Sequence, residues 1–214
     1  CTSRLCELAD YKNLFTDGVS ALNEMSFGTL VIVVDANNFS ILEAPEIVKN
    51  SFKIAVIDHH IKKQEYEVEP ELLYIEPSAS SACELVTEIL EHTLPAGEGI
   101  LRSDEANVML SGIMVDTKNF TRTVGNRTFA AALYLQNEGA KPEVARQYFA
   151  EDVSEYIAEA KFNSNVEFYR GNIAITRSEG SGNNAHDRIA ASKAADRLLT
   201  VRQVDAAFAL VAVD

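Results

Sequence analysis

Ile-Ala-Val-Ile-Asp-His-His, residues 54–60, is the stretch that decides the predicted fold. Four apolar residues follow one another without alternation, which is typical of a strand that is buried on both faces of a parallel sheet. The acid and the two histidines come directly after them, at the point where such a strand ends. Because open α/β folds carry their functional sites at the carboxyl ends of their strands, we expect Asp58, His59 and His60 to belong to such a site.

Two further apolar stretches also end in an acid. Residues 30–34, Leu-Val-Ile-Val-Val, precede Asp35, and residues 110–115, Leu-Ser-Gly-Ile-Met-Val, precede Asp116. We expect both acids and the Asp-His-His run to meet at one rim of the sheet. Carboxylate oxygen and imidazole nitrogen are ligands of Mn, Fe and Zn, whereas calcium prefers oxygen alone. Such acids can also be caps or turn residues, and a histidine pair can be polar loop, but the combination favours a metal site.

Composition limits the classes of function. The chain has 214 residues, is 47% hydrophobic and carries a formal net charge of -13, which allows one full core and a second, smaller unit. The negative charge argues against a protein that binds long nucleic acid through its phosphates. A small anionic substrate held by metal ions is compatible with this charge. Three cysteines without Cys-x-x-Cys spacing favour a reducing, cytoplasmic compartment. No apolar run approaches the roughly 20 residues that span a bilayer, and no secretory signal is visible.

The polarity pattern predicts strands and helices in alternation up to residue 162. The predicted strands cover 30–34, 53–58 and 72–75. The predicted helices cover 44–50, about 81–93, about 103–116, 128–139, 142–149 and 154–162, with short helices before residue 27 and solvated connections over 61–70 and 95–99. Ser81-x-x-Glu84 is a capping-box pattern, and Ser103-Asp104-Glu105 is predicted to cap the helix that runs up to Asp116.

The sequence period changes near residue 163. Residues 166–176 alternate on both sides of an Arg-Gly-Asn turn, which is typical of a β-hairpin. A helix around Ala194 and a final strand over 206–213 are predicted to follow. We therefore predict an α/β fold in which a mostly parallel sheet flanked by helices is followed by the start of a second, smaller α/β domain.

These motifs resemble, in order and spacing, the DHH family of phosphoesterases. The resemblance is strongest to the DHH and DHHA1 portion of the bacterial cyclic-di-AMP phosphodiesterases of the GdpP type, and it covers nearly the whole chain. It implies a DHH domain over residues 1–162 and a partial DHHA1 domain over residues 163–214. The family's second motif corresponds to Val33-Val34-Asp35, and its third motif corresponds to Asp58-His59-His60. Residues 112–121 correspond to the fourth motif, and residues 74–85 resemble the segment that follows the third motif.

Two motifs of the family are not found in the sequence. The family begins with His-x-x-x-Asp-x-Asp, which supplies ligands of the other metal ion, yet residues 1–29 contain no histidine. It ends with a Gly-Gly-Gly-His segment that holds substrate, and this segment is also missing. We interpret the chain as an internal fragment of a longer enzyme and expect the fragment alone to be inactive. The resemblance further implies that upstream helices anchor the parent protein at the cytoplasmic face of a membrane.

The resemblance implies a phosphodiesterase that uses two Mn²⁺ ions to hydrolyse cyclic-di-AMP to pApA. Two ions of this kind activate a bridging water and neutralise the charge that develops on the phosphorus oxygens. Asp35 then corresponds to the bridging carboxylate, and His59 and Asp116 complete the ligands of the second ion. His60 is expected to face the scissile phosphate, and Asp58 is expected to orient a histidine.

Five further residues are predicted to contact substrate. Ser80 and Ser81 precede a helix whose free N–H groups and dipole favour a phosphate, although capping explains both serines equally well. Asn119 belongs to the fourth motif. Arg122 and Arg127 follow it in a polar segment where guanidinium groups can clamp a phosphate, and exposed surface charge is the equal alternative.

Several alternatives stay open at this point. Other activities of the DHH family are nanoRNase or pAp phosphatase, exopolyphosphatase and RecJ-like exonuclease, and the acidity of the chain weighs against the exonuclease. A non-catalytic, nucleotide-binding regulatory module is the alternative from another class. We expect a small cyclic dinucleotide as substrate, no long nucleic acid and no membrane contact by this fragment, and a homodimer is compatible with the resemblance.

Overall fold

The structure is a computed structural model that describes residues 11–61, 68–94 and 101–212. The predicted turn over 95–99, most of the predicted loop over 61–70 and the end of the final predicted strand lie outside these residues, as do Cys1 and Cys6. The chain divides into two units, Cys1–Phe149 (unit 1) and Ala150–Asp214 (unit 2).

Helices and strands alternate through both units, as the α/β prediction requires. In chain order, unit 1 contains α1 (Gly18–Glu24), β1 (Leu30–Val34), a 3-10 turn (Phe39–Ile41), α2 (Pro45–Lys49), β2 (Lys53–Asp58), β3 (Leu72–Ile75), α3 (Ala82–Thr93), α4 (Ser103–Asp116), α5 (Asn126–Asn137), α6 (Pro142–Ala145) and a 3-10 turn (Arg146–Phe149). Unit 2 contains α7 (Val153–Asn163), β4 (Glu167–Tyr169), β5 (Ile173–Ser178), α8 (Asn184–Leu198) and β6 (Ala206–Val211).

A three-stranded parallel sheet positions the predicted site in unit 1. The strand order is β1-β2-β3, with Val34 beside Ile57 and Asp58 beside Ile75. Parallel pairing places all three carboxyl ends at one edge, as the sequence predicted. The central strand β2 is buried along residues 54–56, as its unbroken apolar run indicated.

The edge strand β1 differs from that prediction. Only Val33 is buried, and it packs with Val48, Ile54 and Val56 in one core cluster. Leu30 and Ile32 are about half exposed. The apolar runs therefore identified both strands correctly. Burial on both faces, however, is found only in β2, which has a neighbouring strand on each side.

A second core cluster lies among the helices that follow the sheet. Its buried residues come from α4, α5 and the segment after α5, and they are Ala106, Leu110, Ile113, Met114, Ala131, Leu135, Ala140 and Ala145. Gly112 allows α4 to approach the start of α3 closely, because a Cβ atom added at Gly112 would lie 2.3 Å from the Cys83 sulfur. This packing fixes the helix whose last residue is Asp116.

Two helix starts differ from the sequence prediction. The cap of α4 is Arg102 rather than Ser103, and the Glu105 side chain accepts the Arg102 backbone N–H at 2.9 Å. Helix α5 begins at Asn126, two residues earlier than predicted, because Gly125 precedes it and donates its N–H to Thr128 Oγ1. Arg127 therefore lies in the first turn of a helix and not in a polar loop.

Unit 2 has its own sheet and core. Strands β4 and β5 pair antiparallel as the predicted hairpin, and β6 pairs parallel to β5. Helix α7 was predicted to complete the first domain, but Phe162 near its end is buried against Ala190, Ala191 and Ala194 of α8. The small side chains of α8 make room for this aromatic ring, and α7 belongs to unit 2.

Within the described ranges, none of the helices combines the length and the apolar character that crossing a bilayer requires.

Candidate metal centre

The carboxyl edge of the first sheet brings most of the predicted metal ligands together. Asp35 directly follows β1, and its backbone N–H donates to the carbonyl of Ile57 in β2 at 3.0 Å, which holds the two strand ends side by side. The φ angle of Asp35 is 61°, in the left-handed region that residues other than glycine seldom adopt. Strained backbone of this kind is concentrated at functional sites, and here it coincides with a predicted ligand.

Asp116 reaches the same place from the end of helix α4. The helix predicted over about 103–116 is α4, and it ends at this acid. The Asp116 Oδ2 atom lies 3.9 Å from His59 Nε2, and Asp35 Oδ1 lies 3.3 Å from the same nitrogen. Two carboxylates therefore lie within 4 Å of one imidazole nitrogen.

These spacings fit a bound divalent cation. Ligand atoms that each lie about 2.0–2.3 Å from one ion are separated from one another by about 3–4.5 Å. One donor atom from each of Asp35, Asp58, His59 and His60 lies within 4.8 Å of the others. The set combines carboxylate oxygen with imidazole nitrogen, which suits first-row transition metals.

Asp58 is arranged differently from the other acids in this cluster. Its side chain is 0% exposed, and both oxygens are engaged by protein groups. One oxygen accepts the backbone N–H groups of His59 and His60 at 2.8 and 3.2 Å and lies 2.8 Å from His60 Nδ1. The other accepts Asn37 Nδ2 at 2.6 Å. Asp58 therefore orients its neighbours, while Asp35, with a 55% exposed side chain, stays open to solvent.

Negative charge dominates the electrostatics of the cluster. Burial raises the pKa of Asp116, and the charge of Asp35 raises it further. The buried thiol of Cys83 has its pKa raised to about 12, by burial first and then by Asp116 and Asp35. The hydrogen bond with Asp58 raises the pKa of His60. Carboxylates in such proximity repel one another, and a bound cation would relieve that repulsion.

Arg127, a predicted phosphate clamp, is occupied by carboxylates. Its guanidinium forms two hydrogen bonds to Glu88, at 2.8 and 2.6 Å, and lies 3.8 Å from Glu76 and 3.9 Å from Glu84. It also contacts the Tyr74 hydroxyl at 3.3 Å. These contacts explain Arg127 as the centre of an ion-pair network between α5, α3 and the end of β3.

Ser80 and Ser81 are also held by protein contacts. Ser81 Oγ accepts the Glu84 N–H at 3.0 Å, as the capping pattern predicted. The Glu84 carboxylate does not return to Ser81 but accepts the N–H and hydroxyl of Ser80, at 3.2 and 2.6 Å. Both serines are buried. Their contacts support the capping interpretation, and substrate binding by them stays a prediction.

Asn119 and Arg122 lie on an exposed turn directly after Asp116. Lys118, Asn119 and Phe120 have φ angles of 48°, 57° and 61°, so three consecutive residues adopt the left-handed conformation. The turn is held by a 2.8 Å hydrogen bond from the Asn119 N–H to the Met114 carbonyl. Arg122 is exposed and pairs with no acid among the residues that the structure describes. Both side chains stay predicted substrate contacts.

Sequence reasoning missed Asn37 as a site residue. It interpreted Asn37 and Asn38 together as loop residues, yet Asn37 is buried and bound to Asp58, whereas Asn38 caps the 3-10 turn that follows. The one available signal was the position of Asn37 two residues after a strand-end acid.

The chain was compared with known proteins. Residues 2–113 match the model of the DHH family, N-terminal domain. The chain is 35% identical over 207 residues to cyclic-di-AMP phosphodiesterase GdpP of Bacillus subtilis (strain 168) and, also over 207 residues, 35% identical to cyclic-di-AMP phosphodiesterase PdeA of Listeria monocytogenes serotype 1/2a (strain 10403S). Each alignment covers 95% of this chain but only 31% of the relative, so the chain spans about a third of their length.

A solved structure supports the fold. The crystal structure of an exopolyphosphatase-related protein from Bacteroides fragilis matches with a TM-score of 0.68 at 20% identity, over 82% of this chain and 52% of that one. The match with the family model extends over more than half of the 214 residues and contains Asp35 and the Asp-His-His run. This chain belongs to the DHH family.

Proposed function

We propose that this chain is part of a metal-dependent phosphodiesterase that hydrolyses a cyclic dinucleotide, cyclic-di-AMP to pApA. The observation that carries the proposal is the approach of Asp35 and Asp116 to the same nitrogen of His59. The names of the similar proteins from Bacillus subtilis and Listeria monocytogenes support the choice of substrate.

Asp35, His59 and Asp116 are the proposed metal ligands, and Mn²⁺ is the proposed metal. When bound, two such ions supply positive charge beside the phosphate and lower the pKa of a coordinated water. Asp35 is the most exposed of the three side chains, which suits a carboxylate shared between two ions. The His59 side chain is only 17% exposed, so the surrounding atoms restrict its ring. Its Nε2 atom therefore stays close to both acids.

His60 is the proposed donor to the phosphate oxygens. Its Nδ1 atom faces Asp58, so Nε2 is the ring nitrogen left for substrate, and the side chain is 60% exposed. Because the bond with Asp58 raises the pKa of His60, the imidazolium form, which carries a proton on both nitrogens, is favoured. A protonated Nε2 donates a hydrogen bond to an oxygen that becomes more negative in the transition state.

The charge of the chain supports a compact substrate. The net charge of -13 repels a long polyanion, whereas a dinucleotide brings two phosphates that metal ions and a few cations neutralise. Arg122 is the proposed protein cation, since it is exposed and follows Asp116 closely. Asn119 lies on the same turn. The cytoplasmic location, the homodimer and the inactivity of the 214-residue chain alone stay predictions.

Metal binding is the first test of this proposal. Isothermal titration of Mn²⁺ into the 214-residue chain should show binding that Asp35→Asn, His59→Ala and Asp116→Asn each weaken by more than about tenfold. His92→Ala is the matched control, because His92 is exposed at the end of α3 and distant in sequence from the acids. Unchanged affinity in all three site variants would refute the metal centre.

Substrate choice requires a second experiment. The protein from the complete reading frame is assayed with Mn²⁺ on cyclic-di-AMP, pApA, pAp, polyphosphate and single-stranded DNA. We expect cyclic-di-AMP to be hydrolysed fastest and DNA poorly. Faster cleavage of pAp, polyphosphate or DNA would keep the metal centre but favour another DHH activity. Binding of cyclic-di-AMP without hydrolysis of any substrate would favour the regulatory module.

A further inference from the structure

Asn37 is a buried amide at the edge of the candidate metal centre. It lies in the loop after β1, yet it is only 7% exposed. Its Nδ2 atom donates to Asp58 Oδ2 at 2.6 Å and to the backbone carbonyl of His60 at 2.9 Å. One amide group therefore binds the first and the third residues of the Asp-His-His run.

The direction of these two hydrogen bonds follows from their partners. A carboxylate and a carbonyl only accept, so the group that faces them must be the amide NH₂ and not the amide oxygen. The opposite orientation would place three oxygens together in a buried position. The NH₂ group has two protons, and the two acceptors use both of them.

The Asn37 amide is the hydrogen-bond donor to one of the two carboxylate oxygens of Asp58. The Asp58 Oδ1 atom accepts the N–H groups of His59 and His60 and faces His60 Nδ1. Its Oδ2 atom has Asn37 as the hydrogen-bond partner that the structure describes. A buried carboxylate oxygen without a donor is costly, so removal of the Asn37 amide should make the carboxylate rotate, take up a proton or admit water.

We propose that Asn37 is a positioning residue for His60. It fixes the Asp58 carboxylate and the His60 main chain together, so that His60 keeps a proton on Nδ1 in both the neutral ring and the imidazolium and presents Nε2 to the site. In the imidazolium Nε2 also carries a proton. The contacts alone carry this geometry, and only its consequence for hydrolysis rests on the proposed function. Asn37 itself has no described contact with the proposed metal ligands other than through this run.

The tautomer of His60 is a direct test. Long-range ¹H–¹⁵N spectra of the 214-residue chain, labelled on its four histidines, report which ring nitrogen carries the proton when the rings are neutral. The variants are Asn37→Ala, Asn37→Leu and the control Asn38→Ala. Asn37→Leu keeps the size of the side chain and removes the donor without adding an acid beside Asp58, so it separates hydrogen bonding from packing. Asn38 is the adjacent amide, and its side chain binds only Ser40 among the described contacts.

We expect the Nδ1–H form of His60 to dominate in the original chain and in Asn38→Ala. In Asn37→Ala and Asn37→Leu the tautomer ratio should shift by about tenfold toward Nε2–H, because the hydrogen bond from Nδ1 to Asp58 weakens. A folded Asn37→Leu chain that keeps the original tautomer ratio would overturn the proposal. So would failure of both Asn37 variants to fold, since Asn37 would then hold the fold and not the histidine.

An activity measurement separates this inference from the proposed function. In the protein from the complete reading frame, Asn37→Leu should lower kcat for the cyclic dinucleotide by about tenfold or more and change KM less. The reason is that a His60 imidazolium without its hydrogen bond to Asp58 no longer keeps its Nε2–H directed toward the phosphate in the transition state. If the unaltered protein hydrolyses no phosphodiester, the proposed function fails, and the tautomer experiment still decides the role of Asn37. If hydrolysis is normal in Asn37→Leu, the positioning role is refuted while the proposed function stands.

Discussion

Arg127 shows how far the partners of one residue determine its role. The sequence places it near a predicted metal ligand, where a guanidinium suits a phosphate. In the fold, the Arg127 guanidinium donates two hydrogen bonds to the Glu88 carboxylate. The carboxylates of the buried Glu84 and the partly exposed Glu76 lie within 4 Å of the same guanidinium. Three carboxylates around one cation leave it little capacity to bind an anionic ligand as well.

Replacement of Arg127 by lysine should destabilise the protein. An ammonium group cannot form the paired hydrogen bonds of the guanidinium fork, and Glu84, which is 1% exposed, would be left with a weaker counter-charge. We expect Arg127→Lys to lower the free energy of unfolding in urea by about 1–2 kcal/mol. The control Arg122→Lys should change it by less than about 0.5 kcal/mol. If Arg127→Lys unfolds like the original chain but loses substrate affinity, the phosphate-clamp prediction was right.

At the scale of the helices, the approach of α4 to α3 determines where Asp116 lies. The two helices come together at Gly112 and Cys83, four residues before Asp116 and two residues after Ser81. A side chain at Gly112 would have to displace the Cys83 sulfur, which is enclosed by the core. The small residue in the fourth motif is therefore explained by helix packing and not by backbone flexibility.

Gly112→Ala should destabilise unit 1, and Cys83→Ala should relieve the effect. The new Cβ would lie 2.3 Å from the Cys83 sulfur, so overpacking should cost about 1–3 kcal/mol, partly offset by the better helix propensity of alanine, about 1 kcal/mol. In the Cys83→Ala background the sulfur is gone, and Gly112→Ala should be close to neutral. Urea unfolding of the four chains of this double-mutant cycle measures the coupling energy. Additive effects would show that the two residues do not meet.

The start of α4 gives a prediction for pH dependence. Arg102 holds the pKa of Asp104 down at about 2, and the Tyr11 hydroxyl donates to the same carboxylate at 2.8 Å. Since the unfolded value is about 3.9, this carboxylate stabilises the fold above pH 4, and the contribution is lost as the pH falls toward 2. The pair is partly exposed, so solvent screening limits the effect to about 1 kcal/mol or less. Asp104→Asn should therefore lower the free energy of unfolding more at pH 7 than at pH 2, where the carboxylate is partly protonated in the folded state. An equal effect at both pH values would contradict this.

The sequence predicted elements better than it predicted contacts between them. The apolar run before Asp58 identified the central strand, and the apolar run before Asp35 placed this acid at the carboxyl edge of the sheet, because these signals are local and periodic. The partners of Arg127 lie 39 to 53 residues earlier in the chain, and Asn37 meets Asp58 across 21 residues, so neither contact leaves a local pattern. The sequence also placed helix α7 in the first domain, whereas its residue Phe162 packs on α8 in unit 2, because Phe162 and Ala190 become neighbours only in the fold.

At the scale of the whole molecule, the two units differ in what they offer to a metal ion. Asp35, Asp58, His59, His60 and Asp116 all lie in unit 1. Among its described residues, 150–212, unit 2 contains one buried acid, Asp187. The Asp187 carboxylate accepts hydrogen bonds from the N–H and hydroxyl groups of Ser181 at 2.7 and 2.8 Å, which hold its pKa below the usual range. Its charge is thus satisfied by protein donors, whereas in unit 1 the charge of Asp35 contributes to raising the pKa of Asp116.

Mn²⁺ should therefore stabilise unit 1 and leave unit 2 unchanged. A ligand that binds only the folded state at a hundred times its dissociation constant adds about 2.7 kcal/mol to the free energy of unfolding. Hydrogen exchange read by mass spectrometry reports on the two units separately, and protection should rise in β1, β2 and α4 but not in β5 or α8. Asp35→Asn should abolish the increase, and sodium chloride at equal ionic strength should not reproduce it, because screening of the -13 net charge acts on the whole chain. Equal protection of both units by Mn²⁺, or protection that persists in Asp35→Asn, would show that the ion acts through general charge screening and not at this site.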